Sequence, residues 1–571
     1  MNFELLPNEI LIGCLEYLNA RDTFYSFDQL NIRFSQLIRS LHCHLNFRHM
    51  IKPKFEQLCS TCELFADVRI QIYSIELSNE GSYDQIGIFL SKFSFDQFPN
   101  LQNLSVISPN INNLAKLQQL FSLSIPFLSN FRLMNCGNHA HEFLSTVSFS
   151  NLQQLSILGT DYDSRRLFAP STITHLTLSY YYFDNSWKLF KNLPLLKYLK
   201  ILYVRECSSH RYYRESFQTN KNIYLNKIII NNFQCSFDIL ELFLNQTPYL
   251  EHFTIGSRNN IELIDAARWQ RLITTSLSQL KRFQFEFICY QHFSSSDILN
   301  RFTQFQNDFW LKQHHWYTTY GFNEYFSTIH TIPYVDDEYI LKEPMIKYQL
   351  SQINTFTNVK NLCLYTDAIN DQCSYNFPNI RSLCLNCNHK DDRSFSLTIL
   401  QKIVNLSNLE YLIIVGLSIE NIELILVEMM KCAPKLSSLS LKLKNLKIFT
   451  NNQDLCQYIS KQIKTLENYI QLNTFDEIKQ FCKIFSNIKQ FKYAMCKTEH
   501  LLYLLDNLSH LSILNIYVPK SCRISNFLEW FEKHKPNIHN VTFHLEEDSK
   551  SKEPVNSRFT PKFFSLLIER K

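Results

Sequence analysis

Three short stretches of the sequence combine cysteine and histidine, the side chains that bind zinc through sulfur and imidazole nitrogen. A structural zinc site needs about four ligands, commonly supplied as two spaced pairs. The first stretch falls on a predicted helix and its exit, where neighbouring side chains point in different directions. The other two have no second pair nearby, so we expect neither a metal site nor another cofactor. The stretches are His42, Cys43, His44 and His49 followed by Cys59 and Cys62; Cys384, Cys387 and His389; and Cys136, His139 and His141.

Residue patterns typical of enzyme active sites are missing from the sequence. Nothing singles out one of the 17 cysteines as a nucleophile with a supporting base. No Gly-x-Ser-x-Gly or His-Glu-x-x-His motif occurs. Of the 8 glycines, the closest pair is Gly81 and Gly87, and no Lys-Ser/Thr follows to complete a phosphate-binding loop. We therefore expect a protein that is not an enzyme.

The charge balance argues against nucleic acid and anionic membranes as partners. The chain of 571 residues has 57 basic and 52 acidic side chains, a net charge of +5, and no run of five like charges. The first residues show no signal peptide, and no run of about 18 apolar residues could span a membrane. The scattered cysteines are therefore expected to be reduced thiols, in the cytoplasm or the nucleus.

An apolar triplet recurs along most of the chain, with two residues between its first and second members and one between its second and third. From Ile75 to Phe283, the middle residues of successive copies are 21 to 30 residues apart, close to the leucine-rich-repeat period of about 20–29 residues. The last two apolar positions lie on one side of a half-buried strand. One strand cannot bury that side alone, so the copies must stack, with a helix per copy covering the buried side. Clear copies begin at Leu101, Leu152, Ile173, Leu196, Leu250, Val359, Ile380, Leu409, Leu436, Leu511 and Ile538, and weaker copies centre on Ile75, Phe131, Ile228, Phe283 and Phe491.

The predicted fold class is α/β, an irregular leucine-rich-repeat-like strand–helix solenoid with the shape of a horseshoe. Residues 418–431 illustrate the helical segments, because Ile422, Leu426 and Met429 share one face. A degenerate copy at Ile463 and Leu466 fills the longest interval of the second half. The alternative is an ordinary α/β domain whose strands happen to be evenly spaced.

No clear copy occurs between Phe283 and Leu362. Aromatic residues are dense in this stretch, and we expect them to fill a core rather than to form a binding site. They are Phe302, Phe305, Phe309, Trp310, Trp316, Tyr317 and Tyr320.

Residues 5–40 predict a compact helical unit. Proline at position 7 suits the start of a helix, where its missing N–H costs nothing. The apolar residues that follow exceed what three short helices can bury among themselves, so the excess should lie against another chain or the first repeat.

This segment resembles an F-box. The resemblance rests on the opening Leu6-Pro7-x-Glu9-Ile10-Leu11 and on Leu15-x-Tyr17-Leu18, Asp22, Leu30, Asn31, Phe34 and Leu37, although Thr23 stands where an aliphatic residue is usual and the late tryptophan is absent. The rest of the chain is similar to F-box proteins of the leucine-rich-repeat class, closest to a large invertebrate group with comparable Arg268-Trp269 and Trp310–Trp316 segments.

The resemblance implies a substrate-recognition subunit of a cullin-based, SCF-type ubiquitin ligase, bound to a Skp-type adaptor and the cullin scaffold. It implies four parts: an F-box at 1–50, a first array at 51–290, an aromatic-rich irregular insertion at 291–355, and a second array at 356–571. A leucine-rich-repeat scaffold without a ubiquitin role, whose first helices only cap the array, is the alternative. The adaptor-binding residues that the resemblance implies are Leu6, Pro7, Glu9, Ile10, Leu11, Leu15, Leu18, Leu30 and Leu37.

A protein target is expected to bind the sheet face opposite the helices, where the residues flanking the buried strand positions point. These residues are polar and aromatic without a dominant charge, which suits a protein partner. The candidate substrate-binding residues are His175, Tyr198, Lys200, Arg282, Tyr411 and Lys442.

Overall fold

The computed structural model divides the chain into two compact units, Met1–Trp316 with Phe326–Ile329 and Tyr317–Tyr325 with His330–Lys571. The division falls inside the predicted insertion, and the four-part organisation stays a prediction. None of the helices within the described residues is both long and apolar enough to cross a lipid bilayer. The structure describes residues 3–16, 18, 23, 26–27, 30–48, 50, 55–56, 59, 69–80, 84–121, 127–137, 143, 151–159, 172–182, 186–205, 221–290, 295–322, 326–341, 346–349, 356–368, 375–386, 397–415, 422–441, 452–495, 497–518, 527–535, 541–547 and 562–570.

Strands and helices alternate along most of this chain. The strands are β1 (Cys43–Asn46), β2 (Ile72–Ser78), β3 (Asn103–Ile107), β4 (Asn130–Met134), β5 (Gln154–Leu158), β6 (His175–Tyr182), β7 (Tyr198–Arg205), β8 (Lys227–Gln234), β9 (His252–Arg258), β10 (Arg282–Tyr290), β11 (Thr318–Phe322), β12 (Phe326–Thr331), β13 (Glu338–Leu341), β14 (Ile346–Gln349), β15 (Asn361–Tyr365), β16 (Ser382–Asn386), β17 (Tyr411–Val415), β18 (Ser438–Leu441), β19 (Thr465–Gln471), β20 (Gln490–Ala494), β21 (Ile513–Val518), β22 (Val541–Glu547) and β23 (Lys562–Arg570). The helices are α1 (Asn8–Glu16), α2 (Ile32–Ile38), α3 (Gln85–Lys92), α4 (Ile111–Phe121), α5 (Ser186–Asn192), α6 (Phe237–Leu244), α7 (Ala266–Ser276), α8 (Ser295–Thr303), α9 (Leu397–Ile403), α10 (Ile422–Cys432), α11 (Gln453–Gln462), α12 (Phe475–Ile484), α13 (Thr498–Asn507) and α14 (Phe527–His534), with a π-helical turn at Phe309–Gln313.

In the first unit, strands β1 to β10 lie side by side in chain order, and each adjacent pair is parallel. The middle residues of the predicted triplets align in one buried row across β2 to β10. A slip of one residue would move this row to the outer face, so the apolar pattern fixes the register. The strands predicted from Ile75 to Phe283 are confirmed. The row consists of Ile75, Leu104, Phe131, Leu155, Leu176, Leu199, Ile228, Phe253 and Phe283.

Backbone hydrogen bonds join successive copies just before each strand. The carbonyl of Thr174, for example, accepts hydrogen bonds from the N–H groups of Lys197 at 2.8 Å and Tyr198 at 3.0 Å. Side chains add a second link, because the residue before the first apolar position often donates to a carbonyl of the preceding copy. Asn100 donates to the carbonyl of Ile70 at 2.6 Å. Asparagines at this position thus link successive copies just before the strand begins. Similar donors are Thr172 in the first unit and Asn379 and Asn487 in the second.

The helices of the first unit cover the buried side of the sheet with aromatic side chains. Trp269 of α7 is fully buried, and its ring centroid lies 4.6 Å from that of Phe237 and 4.8 Å from that of Phe283. Its indole N–H donates to the carbonyl of Leu263 at 2.8 Å, so burial leaves no unsatisfied donor. Burial of each large side chain of this kind stabilises the fold by about 1.5–3 kcal/mol.

The second unit contains a ten-stranded sheet in the order β13, β15, β16, β17, β18, β19, β20, β21, β23, β22. Pairs from β13 to β21 are parallel. Its core combines strand residues such as Leu412 with helix residues such as Leu426, Ile459 and Phe481. The helix predicted in 418–431 is confirmed over its described part as α10. The degenerate copy is confirmed as β19, with Leu466 buried. Both units are therefore mixed α/β structures with parallel sheets.

The strands differ from the predictions at three places in the chain. The segment at Cys43 forms β1, which pairs in parallel with β2, and not a helix. β13 occupies the stretch predicted to lack a copy, with Tyr339 opposite Leu362. The apolar triplet was not recognised there because Asp336 stands at its first position. At the other end, β23 lies between β21 and β22 and is antiparallel to both. The last copy therefore does not pair with the one before it.

Five of the seven predicted aromatic residues fill the core of the first unit; Tyr320 is buried in the second unit, and Tyr317 of that unit is half-buried. Phe302, Phe305 and Trp310 are fully buried, and Trp316 is nearly so. The Trp310 ring centroid lies 4.8 Å from that of Phe305 and 5.9 Å from that of Trp316. The region is less irregular than predicted, because it contains α8, and β12 follows β10 in the sheet.

Candidate functional site

Arg33 joins α2 to the start of α1. Arg33 of α2 donates to the side-chain oxygen of Asn8 at 2.9 Å and 2.7 Å, to the carbonyl of Leu6 at 2.6 Å, and to the carbonyl of Glu4. These acceptors lie at the start of α1. Asn31 caps α2 by accepting from the N–H of Phe34 at 2.9 Å. The segment that carries the Leu-Pro-x-Glu-Ile pattern is thus positioned by side chains from a distant part of the sequence.

The apolar residues of this segment divide into an inner and an outer set. Leu11, Leu15 and Leu37 are buried, so they stabilise the helices and present no surface to a partner. Phe34 is fully buried with them and lies 5.5 Å from Phe27 between ring centroids. Of the residues predicted to bind an adaptor, Leu11, Leu15 and Leu37 are therefore not available to a partner.

The outer set contains Ile10, which is 52% exposed, and Leu30, which is 56% exposed. Leu18, Pro7 and Glu9 are also exposed, and Leu6 is half-buried. The sequence prediction missed Leu5 and Ile32, which are the most exposed apolar residues of the region at 80% and 79%. Leu5 precedes α1 and Ile32 is the first residue of α2, so neither belongs to an apolar stripe that would give a periodic signal.

Those members of the cysteine and histidine stretches that the structure describes form no metal-binding group. The ring of His42 packs at an angle against Tyr73, with centroids 4.1 Å apart. Cys43 is buried and His44 is exposed, because side chains alternate along β1. Across the described residues, no group of three or more His, Cys, Asp or Glu side chains could hold an ion. Cys59 and Cys136 are buried and Cys384 is half-buried. The remaining members, His49, Cys62, His139, His141, Cys387 and His389, lie outside the described residues.

Several thiols are poor nucleophiles because they are buried. Burial raises the pKa of Cys43 and Cys289 to about 11. It raises the pKa of Cys136 and Cys482 to about 12. A thiol with such a pKa stays protonated at neutral pH, and the thiolate is the reactive form.

The predicted target-binding residues of the first unit lie on the outer face of the sheet. His175, Tyr198, Lys227, His252 and Arg282 are aligned across β6 to β10 in one row. The rings of the first two stack with centroids 5.6 Å apart. The next outward row contains Lys200, opposite Thr177. The sheet thus brings together four of the six predicted residues, and the row adds Lys227 and His252, which sequence reasoning had not singled out.

In the second unit, Tyr411 lies on the outer face of β17 and is exposed, between Ser382 and Ser438 on the neighbouring strands. Lys442 lies outside the described residues. A polar groove of about 460 Å³ runs along the edge where these strands begin. The groove combines three cations with two carboxylates, and the sequence prediction missed it because its side chains precede the strands. Its charged side chains are Asp337, Lys360, Arg381, Glu410 and Lys435.

The chain therefore consists of repeated strand–helix units, and the helices near its N-terminus expose apolar residues. No family model matches the chain, and no curated protein sequence matches it. The function must therefore be argued from the chain's own residues.

Proposed function

We propose that the chain is an F-box protein of the leucine-rich-repeat class, a non-catalytic substrate-recognition subunit of a cullin-based, SCF-type ubiquitin ligase. The N-terminal helices bind the Skp-type adaptor, which links the chain to the cullin scaffold. The outer sheet faces bind the target protein. Ubiquitin transfer belongs to the partner enzymes, and this chain raises the local concentration of the target near them.

One observation carries the proposal: α1, α2 and their flanking residues expose Ile10, Leu30, Leu5 and Ile32 on a segment that Arg33 holds in place. Exposed apolar side chains on a positioned element are the usual contacts of a protein partner. A preorganised surface also loses less entropy on binding than a disordered one.

Further features fit a receptor without its own chemistry. The four buried thiols with raised pKa values are unsuited to carry ubiquitin. The outer sheet face carries aromatic and long polar side chains, which are enriched where proteins bind each other. We propose that the receptor needs no cofactor, binds neither nucleic acid nor membrane, and acts in the cytoplasm or the nucleus.

Capture of purified Skp-type adaptor by the purified full-length chain tests the proposal. Ile10→Asp with Leu30→Asp should abolish capture, because both substitutions place charge in the apolar contact surface. Ile111→Asp is the matched control, since Ile111 is 54% exposed and lies on α4, outside the helical segment. The control should capture adaptor like the unmodified chain, and all variants should keep the same thermal unfolding midpoint.

The scaffold without a ubiquitin role makes the opposite prediction. In that case the helices serve only to cap the sheet, which the pairing of β1 with β2 and the hydrogen bond from Gln71 to the carbonyl of Arg39 would favour. The unmodified chain and the double variant would then capture equally little adaptor, and the receptor proposal would be wrong.

A further inference from the structure

The outer face of strands β6 to β10 has an excess of positive charge that the composition of the whole chain conceals. Five cations point outward from these strands and one carboxylate, Glu286, does so with them. The whole chain, by contrast, has nearly equal numbers of basic and acidic groups. The five cations are Lys200, Arg205, Lys227, Arg258 and Arg282.

None of these five cations forms an ion pair with a residue that the structure describes. Other cations of the same unit do form such pairs, for example Lys281 with Glu251 at 2.6 Å. The cations lie opposite neutral or polar residues on the adjacent strands, for example Lys227 opposite Tyr198. Together they give the face a positive potential, so it is electrostatically complementary to a negatively charged partner.

Aromatic rings hold two of the cations in position. Lys227 Nζ lies 5.5 Å from the ring centroid of Tyr198, whose other neighbour is His175. Arg205 Cζ lies 5.7 Å from the centroid of Tyr180, which stacks on Tyr203 at 5.0 Å. Cation–π contacts of this kind favour a defined placement of the charge. The ring of Tyr198 has a neighbour on each side, because His175 and Lys227 belong to the strands that flank β7.

We propose that this face binds an anionic segment of a target protein, with acidic or phosphorylated side chains at every third position. The inference names the class of target for the face assigned above and therefore rests on that part of the proposed function. The flanked ring of Tyr198 favours a protein segment over single-stranded nucleic acid, which needs free ring faces for base stacking.

The spacing follows from the strand separation. Lys227 and Arg282 belong to one row, two strands apart, which corresponds to about 9–10 Å. A peptide in the polyproline II conformation has about three residues per turn and rises about 3.1 Å per residue, so every third side chain recurs on the same side after about 9 Å. Such a peptide lying across the strands would present one anion to each cation.

Fluorescence anisotropy with the full-length chain, without adaptor, tests the inference. The probes are a labelled peptide with glutamate at every third position, the same peptide with phosphoserine there, the same peptide with glutamine, and a single-stranded oligonucleotide of equal charge. We expect the glutamate or the phosphoserine peptide to bind and the glutamine peptide not to bind, and comparison of the first two identifies the source of the charge.

Lys227→Gln with Arg282→Gln should weaken binding of the anionic peptide at least about tenfold, since two charge contacts are lost. Lys402→Gln with Lys461→Gln is the matched control, because it removes two exposed cations from α9 and α11 of the second unit and should leave affinity unchanged. Equal binding of the glutamine peptide, an unchanged affinity of the first double variant, or tighter binding of the oligonucleotide would overturn the inference. Adaptor capture is measured separately, so a chain that captures adaptor but ignores these peptides refutes only this inference.

Discussion

Arg268 of α7 donates hydrogen bonds to both carboxylate oxygens of Glu241 in α6, at 2.8 Å and 2.6 Å. The same guanidinium lies over the ring of Phe237, with Cζ 4.3 Å from its centroid. It also donates to Asp238 at 2.5 Å. The hydrogen bonds with Glu241 are the largest cause that raises the pKa of Arg268. Two helices that follow adjacent strands are thus joined by a planar group that engages a carboxylate and a ring together.

Replacing this guanidinium should weaken the contact between the two helices. We expect Arg268→Lys to lower the free energy of unfolding by about 1–3 kcal/mol, because lysine keeps the charge but loses the two-pronged geometry and the ring contact. Amide hydrogen exchange should increase in Phe237–Leu244 and Ala266–Ser276. Lys281→Ala is the comparison, since its ion pair with Glu251 is more exposed and should contribute about 0–1 kcal/mol. Equal losses of unfolding free energy in both variants would contradict the role assigned to Arg268.

A second stability prediction concerns Asn222, which is buried and joins two copies of the repeat. Its side-chain oxygen accepts from the N–H groups of Tyr224 and Leu225 at 2.9 Å each, and its amide donates to the carbonyl of Leu193 at 3.3 Å. Asn222→Ala should cost about 1–3 kcal/mol in urea unfolding, because buried backbone groups lose their partners. Asn379→Ala removes a similar donor that is exposed, and water can replace it there. A smaller loss for Asn222→Ala than for Asn379→Ala would show that this account is wrong.

A third prediction concerns the placement of the N-terminal helix. Arg33→Ala should loosen the start of α1, because the carbonyl of Leu6 and the side chain of Asn8 lose their donor. We expect faster hydrogen exchange in Asn8–Glu16 and, under the proposed function, at least about tenfold weaker adaptor capture. Arg39→Ala is the control, since Arg39 lies after α2 and is exposed. If hydrogen exchange in α1 is unchanged in Arg33→Ala, then Arg33 does not position this helix.

A fourth prediction follows from the buried thiols. Burial raises the pKa of Cys43 from 9.0 to about 11 and that of Cys482 from 9.0 to about 12. The unfolded chain therefore releases these protons at lower pH than the folded chain. The stabilisation is complete below a pH of about 9 and is lost as the pH rises through about 11. Between these two pH values, the free energy of unfolding measured in urea should fall as the pH rises. It should fall less steeply in Cys43→Ala.

Alkylation of the native protein gives an independent measurement of the same burial. Cys14 is exposed and Cys43 is buried, so mass spectrometry should find Cys14 modified first. Cys43 should react only after denaturant is added. Modification of both at the same rate in the native state would contradict the burial of Cys43.

The buried rows of both sheets could be predicted from the order of residues alone. Leu176 and Leu178, for example, are separated by one residue, and alternation along a strand places both on the same side whatever the strand pairs with. The same reasoning placed His175 on the outer face before its neighbours were known. These properties depend on residues close in sequence, so one amino-acid sequence is enough to recognise them.

Contacts between distant residues were decided by the folded structure. The sequence placed Ile10 and Leu11 in one contact surface, but packing against α2 buries Leu11 and leaves Ile10 exposed. The insertion of β23 beside β21 and the alignment of Lys227 with Arg282 through β9 have the same origin. Apolar periodicity indicates which side of a helix or strand is buried. Which other element packs against that side depends on the summed free energy of contacts among many residues.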